Sequence, residues 1–357
     1  MQNIKIFISK KIALTPIKIA ILTIGLLYTV GYPLIFQHDN YRLNIVITAS
    51  ILSVISLGVW LIFVIGRINI GQGAFVLIGA YVTAILLVKL NISFWLCLPI
   101  SGIIAGALGF LIGIPILRLT GVYFDMLTLC LTEAAMLAML NLDVLTNGAR
   151  GIIHIFIPGA LKIGSFTIIP AFKPGNYLYF YYLTATILII TFFAIWRLYS
   201  SRIGWNLRTI RQSETLALSM GINIYKYRLI SYSICCFLGG IGGSLFVVYI
   251  QSIYPTSFKV IDSIYYMLYC FLGGLNYPFG PILGAFILTF SFESLRFIQK
   301  YQEVTYACLM IILILWFPNG LMSLNLKKRD YLKTNLTNRN IQAHVLEILK
   351  KLKNITK

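Results

Sequence analysis

The chain has 357 residues, 59% of them hydrophobic and only 11% charged, whereas soluble domains sit near half apolar and about a quarter charged. Apolar runs recur along nearly its whole length, and about 20 helical residues cross the hydrocarbon core of a bilayer, so a soluble globular domain is excluded. The formal net charge of +19 does not mark a nucleic-acid binder, because the cations stand at the ends of apolar runs, in one internal loop and in a C-terminal tail rather than on one soluble face.

Lipid offers the backbone no hydrogen-bond partners, so these runs are helices. The predicted spans are 17–36, 43–66, 71–90, 94–117, 121–140, 178–197, 229–250, 262–276, 279–299 and 304–323. The fold class is all-α, a polytopic transmembrane bundle of about eight to ten spans. The first span follows Lys5, Lys10, Lys11 and Lys18 with no small-residue cleavage site, which predicts an uncleaved helix rather than a signal peptide. Gly102, Gly106, Gly109 and Gly113 crowd the fourth span, and Gly239, Gly240, Gly242 and Gly243 the seventh. Small residues at this spacing serve close helix packing; flexible hinging during transport is the alternative.

The fifth span carries two acids, Asp125 and Glu133, each costing about 2.5–3.5 kcal/mol at a bilayer centre on insertion scales. At helical spacing Asp125, Thr128, Thr132, Glu133 and Met136 gather on one side. Two readings stay open: a polar lining of a translocation path, with Glu133 its best candidate, or interfacial and interhelical hydrogen bonding. Residues 141–177 hold Gly148, Gly151, Pro158, Gly164, Pro170, Pro174 and Gly175, too broken a stretch to cross and long enough for a small external feature. The eighth span is short and ends in GGLNYPFGP, which suits a half-helix or re-entrant segment as well as a crossing. Glu293, with Arg296 three residues on, predicts a structural interfacial pair.

The loop of residues 201–228 reads SRIGWNLRTIRQSETLALSMGINIYKYR. It is basic, yet keeps an orderly apolar pattern. It predicts one or two short helices over 205–221, with Ser213 as N-cap and Gly221 as C-cap, and Glu214 in a first turn where the helix dipole favours an anion. A structured segment lying across one end of the bundle needs a partner for its outward face. With a cytoplasmic N-terminus and ten crossings, most of the 29 Lys and Arg, this loop and the tail fall in the cytoplasm. Residues 1–323 form the predicted membrane domain. In the tail, 324–357, Ile341, Val345, Leu349 and Leu352 stand at helical spacing beside Lys350, Lys351 and Lys353, which fits a basic helix on anionic lipid or a solvated tail.

No GxxxxGK[ST] occurs, so the chain has no P-loop for ATP. His38, His154 and His344 are scattered. Cys97, Cys130, Cys235, Cys236, Cys270 and Cys308 all lie in apolar stretches without CxxC spacing, so no metal, disulfide or cofactor chemistry is expected. No catalytic site is expected either; moving something across a membrane is the default.

Several motifs carry a resemblance. Glu214, Ala217, Gly221 and Ile222 fit E-x-x-A-x-x-x-G-I, the cytoplasmic loop of ABC importer permeases. GQGAFVLIGAY (Gly71–Tyr81), PILRLTGVY (Pro115–Tyr123), NLDVLTNGARGI (Asn141–Ile152), FLGGLNYPFGPILGA (Phe271–Ala285) and FPNGL (Phe317–Leu321) follow in order. Over about residues 43–321 the chain resembles the M-type permease subunit of branched-chain amino acid ABC importers. The resemblance implies one half of a pore, with a second related permease subunit, two ATPase subunits and a periplasmic binding protein, in a bacterial inner membrane. ATP would be used by the partner subunits. It implies that Glu214, Ala217 and Gly221 couple to an ATPase cleft, with Arg208 and Arg211 meeting acids on that subunit or lipid head groups. Gln72, in the first motif, joins Asp125, Thr128, Thr132 and Glu133 as a candidate path residue. Two departures stand out: the tail has no counterpart in the family pattern, and TNGARG stands where adjacent glycines and a proline are usual, so Arg150 bears on contact with a binding protein. A permease for urea or short amides is the nearest alternative. An ion-coupled secondary transporter using Asp125 or Glu133 is a further one, and a structural subunit of a respiratory complex a weaker one.

Overall fold

The computed structural model describes residues 28, 32–33 and 39–321, apart from 120, 160, 164–165, 170–171, 173–174, 176 and 317–319. The predicted first span, the residues Phe317, Pro318 and Asn319, the tail, His38 and His344 lie outside the described residues or nearly so, as do Gly164, Pro170 and Pro174 of the external connection.

Twelve α-helices are described: α1 (Asn40–Val64), α2 (Gln72–Val88), α3 (Phe94–Ile116), α4 (Val122–Asn141), the short α5 (Asp143–Thr146), α6 (Tyr177–Ser200), α7 (Arg202–Gln212), α8 (Glu214–Ser219), α9 (Ile224–Ile250), α10 (Val260–Gly273), α11 (Gly280–Ser294) and α12 (Gln302–Trp316). By length and composition α1, α3, α4, α6 and α9 can cross a membrane, and α2 and α11 are shorter apolar helices. The predicted seventh span begins earlier than its hydropathy, at Ile224. Asn223 caps it there by accepting a hydrogen bond from the Lys226 N–H at 3.1 Å, so cap chemistry rather than apolarity sets the boundary. The predicted ninth span stops at Ser294, where Glu293 meets Arg296 at 2.8 Å and Tyr41 at 2.7 Å.

The core is built around α9, which packs chiefly on α3, α2 and α1. Its glycines decide how close these helices come. A Cβ on Gly243 would stand 2.0 Å from Val76 O, one on Gly79 would stand 2.4 Å from Gly240 Cα, and one on Gly109 would stand 2.4 Å from Cys236 Sγ. Backbone therefore lies against backbone, the packing that small residues permit where lipid gives no hydrophobic drive to associate. α10 and α11 form a hairpin of the same kind, with Gly284 so close to Tyr269 O that a Cβ would stand 1.9 Å away.

The α10–α11 turn settles the eighth span. Trp60 Nε1 donates to Leu275 O at 3.0 Å and the Tyr199 hydroxyl to Asn276 O at 3.3 Å. Both donors lie near the ends of α1 and α6 that lead into the loops at the α7–α8 end of the bundle. α10 itself starts beside the opposite connection, so its 14 residues, plus the turn, carry the chain across the bundle.

At that opposite end, β1 (Ile152–Ile153) pairs antiparallel with β4 (Ser252–Ile253), and β2 (Leu161–Ile163) with β3 (Phe166–Ile169). The first pairing pins the 141–177 connection to the end of α9. Lys89 Nζ ties α2 to the same connection by donating to Val144 O and Leu145 O.

α2 begins inside the bundle. Gln72 Nε2 donates to Cys235 O at 3.0 Å, a level about 16 Å along α9 from Ile224 at 1.5 Å per residue. Non-helical backbone at that depth survives only where protein satisfies it. Here Thr128 Oγ1 accepts from Ile70 N at 3.3 Å, Asn69 Oδ1 from Gly71 N at 3.0 Å and Ser263 Oγ from Gly73 N at 2.8 Å.

Candidate functional site

The insert between α6 and α9 is a two-helix platform. α7 turns Gly204, Leu207 and Ile210 inward, a three-residue stripe on one face. Ser213 then breaks the helix with extended backbone, φ −160° and ψ 119°, and its Oγ accepts from Leu216 N at 3.2 Å to start α8. Ala217 is fully buried. The chain leaves α8 through Gly221 at φ +76°, with Gly221 N donating to Leu218 O at 2.9 Å and Ile222 N to Ala217 O at 3.0 Å, a left-handed helix stop. With Ala217 inside, α8 presents Leu216, Leu218 and Met220 outward at 53%, 61% and 68% exposure. Three large apolar side chains of one short segment at the end of a bundle are thus left open, Leu216 and Met220 on one flank of the helix and Leu218 on the other.

Charges fix this platform to the bundle. Glu214, at the start of α8, pairs with Arg228 on α9; the Arg228 side chain is 9% exposed and that of Glu214 is 54%. Arg67, in the loop before α2, donates to Leu119 O and lies 5.2 Å from the Phe124 ring centre. Burial lowers its pKa from the ordinary value, as does Arg228, while Glu214 and Asp125 oppose the shift. Glu214 thus sits among two guanidiniums that need an anion. Glu214→Gln keeps an acceptor oxygen but removes the counter-charge of the mostly buried Arg228, and is expected to destabilise the chain by about 1–3 kcal/mol. Thermal unfolding of the purified chain measures it, and Glu214→Gln combined with Arg228→Met should recover most of the loss, as apolar replacement of a buried pair does.

Arg208 and Arg211 take another direction. The Arg208 guanidinium stacks 4.4 Å from the ring centres of both Tyr199 and Trp205. Arg211 lies along Gly66, where a Cβ would stand 3.3 Å from its Cγ. Both line a cavity of about 340 Å³ that reaches Leu275 and Asn276 of the α10–α11 turn.

The polar stripe on α4 divides. Thr128 and Thr132 are buried against the loop before α2, Thr132 Oγ1 donating to Ile70 O at 3.4 Å. Asp125 is half-buried on the side of Arg67. Gln72 is fully buried, holding Cys235 through both ends of its amide. Glu133 stands outside this group, exposed with Met126, Cys130 and Leu137 on the least buried of the five long apolar helices. Among the described residues no cluster of three His, Cys, Asp or Glu forms a metal site.

Comparison with known proteins places this architecture. The family described as "Branched-chain amino acid transport system / permease component" matches residues 41–317. The chain belongs to this permease family. It is 29% identical over 312 residues to the high-affinity branched-chain amino acid transport system permease protein LivM of Escherichia coli (strain K12), covering 83% of this chain and 73% of that protein. The LivM protein of Salmonella typhimurium is 28% identical over the same shares. The probable branched-chain amino acid transport permease protein LivM of Methanocaldococcus jannaschii is 25% identical over 242 residues, 62% of this chain and 66% of that protein. No solved structure matches significantly.

Within this permease, sequence reasoning did not find Arg228 as the partner of Glu214, nor Arg67 beside it. The pairs join residues 14 and more apart in different elements, and no local spacing rule reaches that far. The exposed Leu216, Leu218 and Met220 had a signal, the small Ala217 set among large apolar residues in a basic loop. Of the TNGARG departure, Asn147 and Gly148 both take positive φ and Arg150 is exposed at the end away from the platform.

Proposed function

We propose that this permease forms half of the translocation pathway of an ATP-driven importer for branched-chain amino acids, and that its α7–α8 platform is where a separate ATPase subunit docks. The observation that carries this reading is the exposed triad Leu216, Leu218 and Met220 on a helix clamped to the bundle by Glu214–Arg228. A lever needs both exposed apolar side chains to be gripped and a stiff link to what it moves. ATP-loaded ATPases would drive transport by binding one state of the pore more tightly than the other. Lysine and arginine counts support a cytoplasmic position for the platform and the tail, in the inner membrane. A periplasmic binding protein would then meet the opposite end, where Arg150 is exposed.

Glu133 supports a path shared with a second, related permease subunit. A carboxylate well inside a membrane helix and uncovered by its own chain needs protein or water beside it. Glu133→Gln is expected to lower uptake about tenfold or more while leaving thermal stability unchanged; a loss of stability with normal uptake would assign it to packing instead. Co-purification tests the docking: a stable complex with an ATPase, lost on replacing Leu218 with Glu, supports it, whereas uptake in proteoliposomes without any ATPase would favour the ion-coupled alternative.

A further inference from the structure

A cavity of about 390 Å³ opens between α1, α9, α10, α11 and α12, at the end of the bundle away from the docking platform. That volume lies within the usual range of small-molecule sites, about 300–1,000 Å³. Tyr266, Tyr269 and Tyr306 line it at 2%, 7% and 3% exposure, and Thr289 Oγ1, also in its lining, is buried with no hydrogen-bond partner among the described residues. A buried polar group ordinarily finds one; an unpaired hydroxyl beside three phenols around a single cavity points to donors open to a ligand.

Among the described residues that line the cavity, the charged ones are Asp262 and Glu293. Glu293 is already matched by Arg296 and the Tyr41 hydroxyl. Asp262 lies one helical turn before Tyr266 on the same face of α10, and its Oδ2 caps the helix by accepting from Lys259 N at 2.8 Å. The Asp262 carboxylate therefore stands beside the phenols, with Lys259 as its neighbouring cation. Ile45, Leu52, Phe246 and Phe258 make the apolar wall, the last two with ring centres 4.9 Å apart.

We propose that this cavity binds a small zwitterion carrying a primary ammonium. Asp262 takes the ammonium, the phenol O–H groups of Tyr266, Tyr269 and Tyr306 donate to the anionic group, and the apolar wall takes an aliphatic arm. Two sources share this chemistry: an aliphatic α-amino acid and the ethanolamine head of a phospholipid. The amino-acid source rests on the import function proposed above and makes the cavity an outer waiting site within one subunit; the lipid source stands without it.

The test uses the full chain assembled with its transport partners in nanodiscs, made of phosphatidylglycerol alone or with phosphatidylethanolamine. Radiolabelled L-leucine binding and native mass spectrometry of retained lipid are read for the wild type, Asp262→Asn and the double variant Tyr266→Phe/Tyr269→Phe. Asparagine keeps an oxygen to cap Lys259 N, and phenylalanine keeps both rings, so the fold is spared. In phosphatidylglycerol the wild type is expected to bind leucine saturably, with Asp262→Asn at least about tenfold weaker and the tyrosine variant about fivefold weaker. If the occupant is lipid, the wild type retains phosphatidylethanolamine and both variants lose it. Either pattern supports the ammonium site. No binding of either probe by the wild type, or binding unchanged in both variants, overturns it. ATP-driven leucine uptake by the same wild-type complex reports separately on the import function.

Discussion

Gly221→Pro is expected to reduce ATP-driven uptake by at least about tenfold while leaving the chain inserted in the membrane, because it removes the stop that shapes α8, the proposed docking helix. Gly221 holds φ at +76°, and proline is locked near −65°. The substitution also deletes the N–H that closes α8 onto Leu218 O at 2.9 Å. Nothing stands within 4 Å of a Cβ built there, so the fault lies in the backbone rather than in crowding. Gly221→Asn separates the two, since asparagine visits the left-handed region at little cost and should keep most of the uptake. Uptake in proteoliposomes, with ATPase retention on an affinity column, measures both variants. Unchanged uptake in the proline variant would remove α8 from the coupling.

The second large effect is expected at the glycine seam. Gly243→Val should prevent the chain from reaching a monodisperse folded state, because its Cβ would enter the backbone of α2, 2.0 Å from Val76 O and 2.9 Å from Ala80 N. Overpacking costs about 1–3 kcal/mol where side chains can yield, and here the obstacle is main chain. Size-exclusion chromatography and thermal unfolding in detergent give the readout. Gly159→Ala is the control, with nothing within 4 Å of the added methyl, and should behave as the wild type. A stable Gly243→Val protein with altered transport would instead show α9 and α2 parting as a hinge.

The spans that became α1, α3, α4, α6 and α9 were legible in the sequence because bilayer thickness fixes helix length. The Gly71–Tyr81 motif did not announce that its helix starts mid-bundle. That start depends on Asn69, Thr128, Ser263 and Cys235 meeting around Ile70–Gly73, partners as many as 190 residues apart. Helical periodicity grouped Glu133 with Thr128 and Thr132, since neighbours on a helix differ by only about 100°. The packing of α4 on the loop before α2 put the two threonines inside and left the acid outside. In the coupling loop, Ser213 and Gly221 act through the residues next to them, and so the sequence displays them. Arg208 was harder. A cation in a basic loop predicts a partner outside the chain, yet Tyr199 and Trp205 supply one from within. The tyrosine-lined cavity had no sequence signature, because Tyr266, Tyr269 and Tyr306 come together only when α10 folds against α12.

The account rests on the α7–α8 platform facing the cytoplasm and being gripped there. Leu218→Cys places a thiol on its outward face, in a chain whose two exposed cysteines among the described residues, Cys130 and Cys308, are replaced by serine. A membrane-impermeant maleimide should label it in inside-out vesicles, fail to label it in intact cells, and be blocked when the ATPase subunits are bound. Labelling of intact cells from outside would contradict the account.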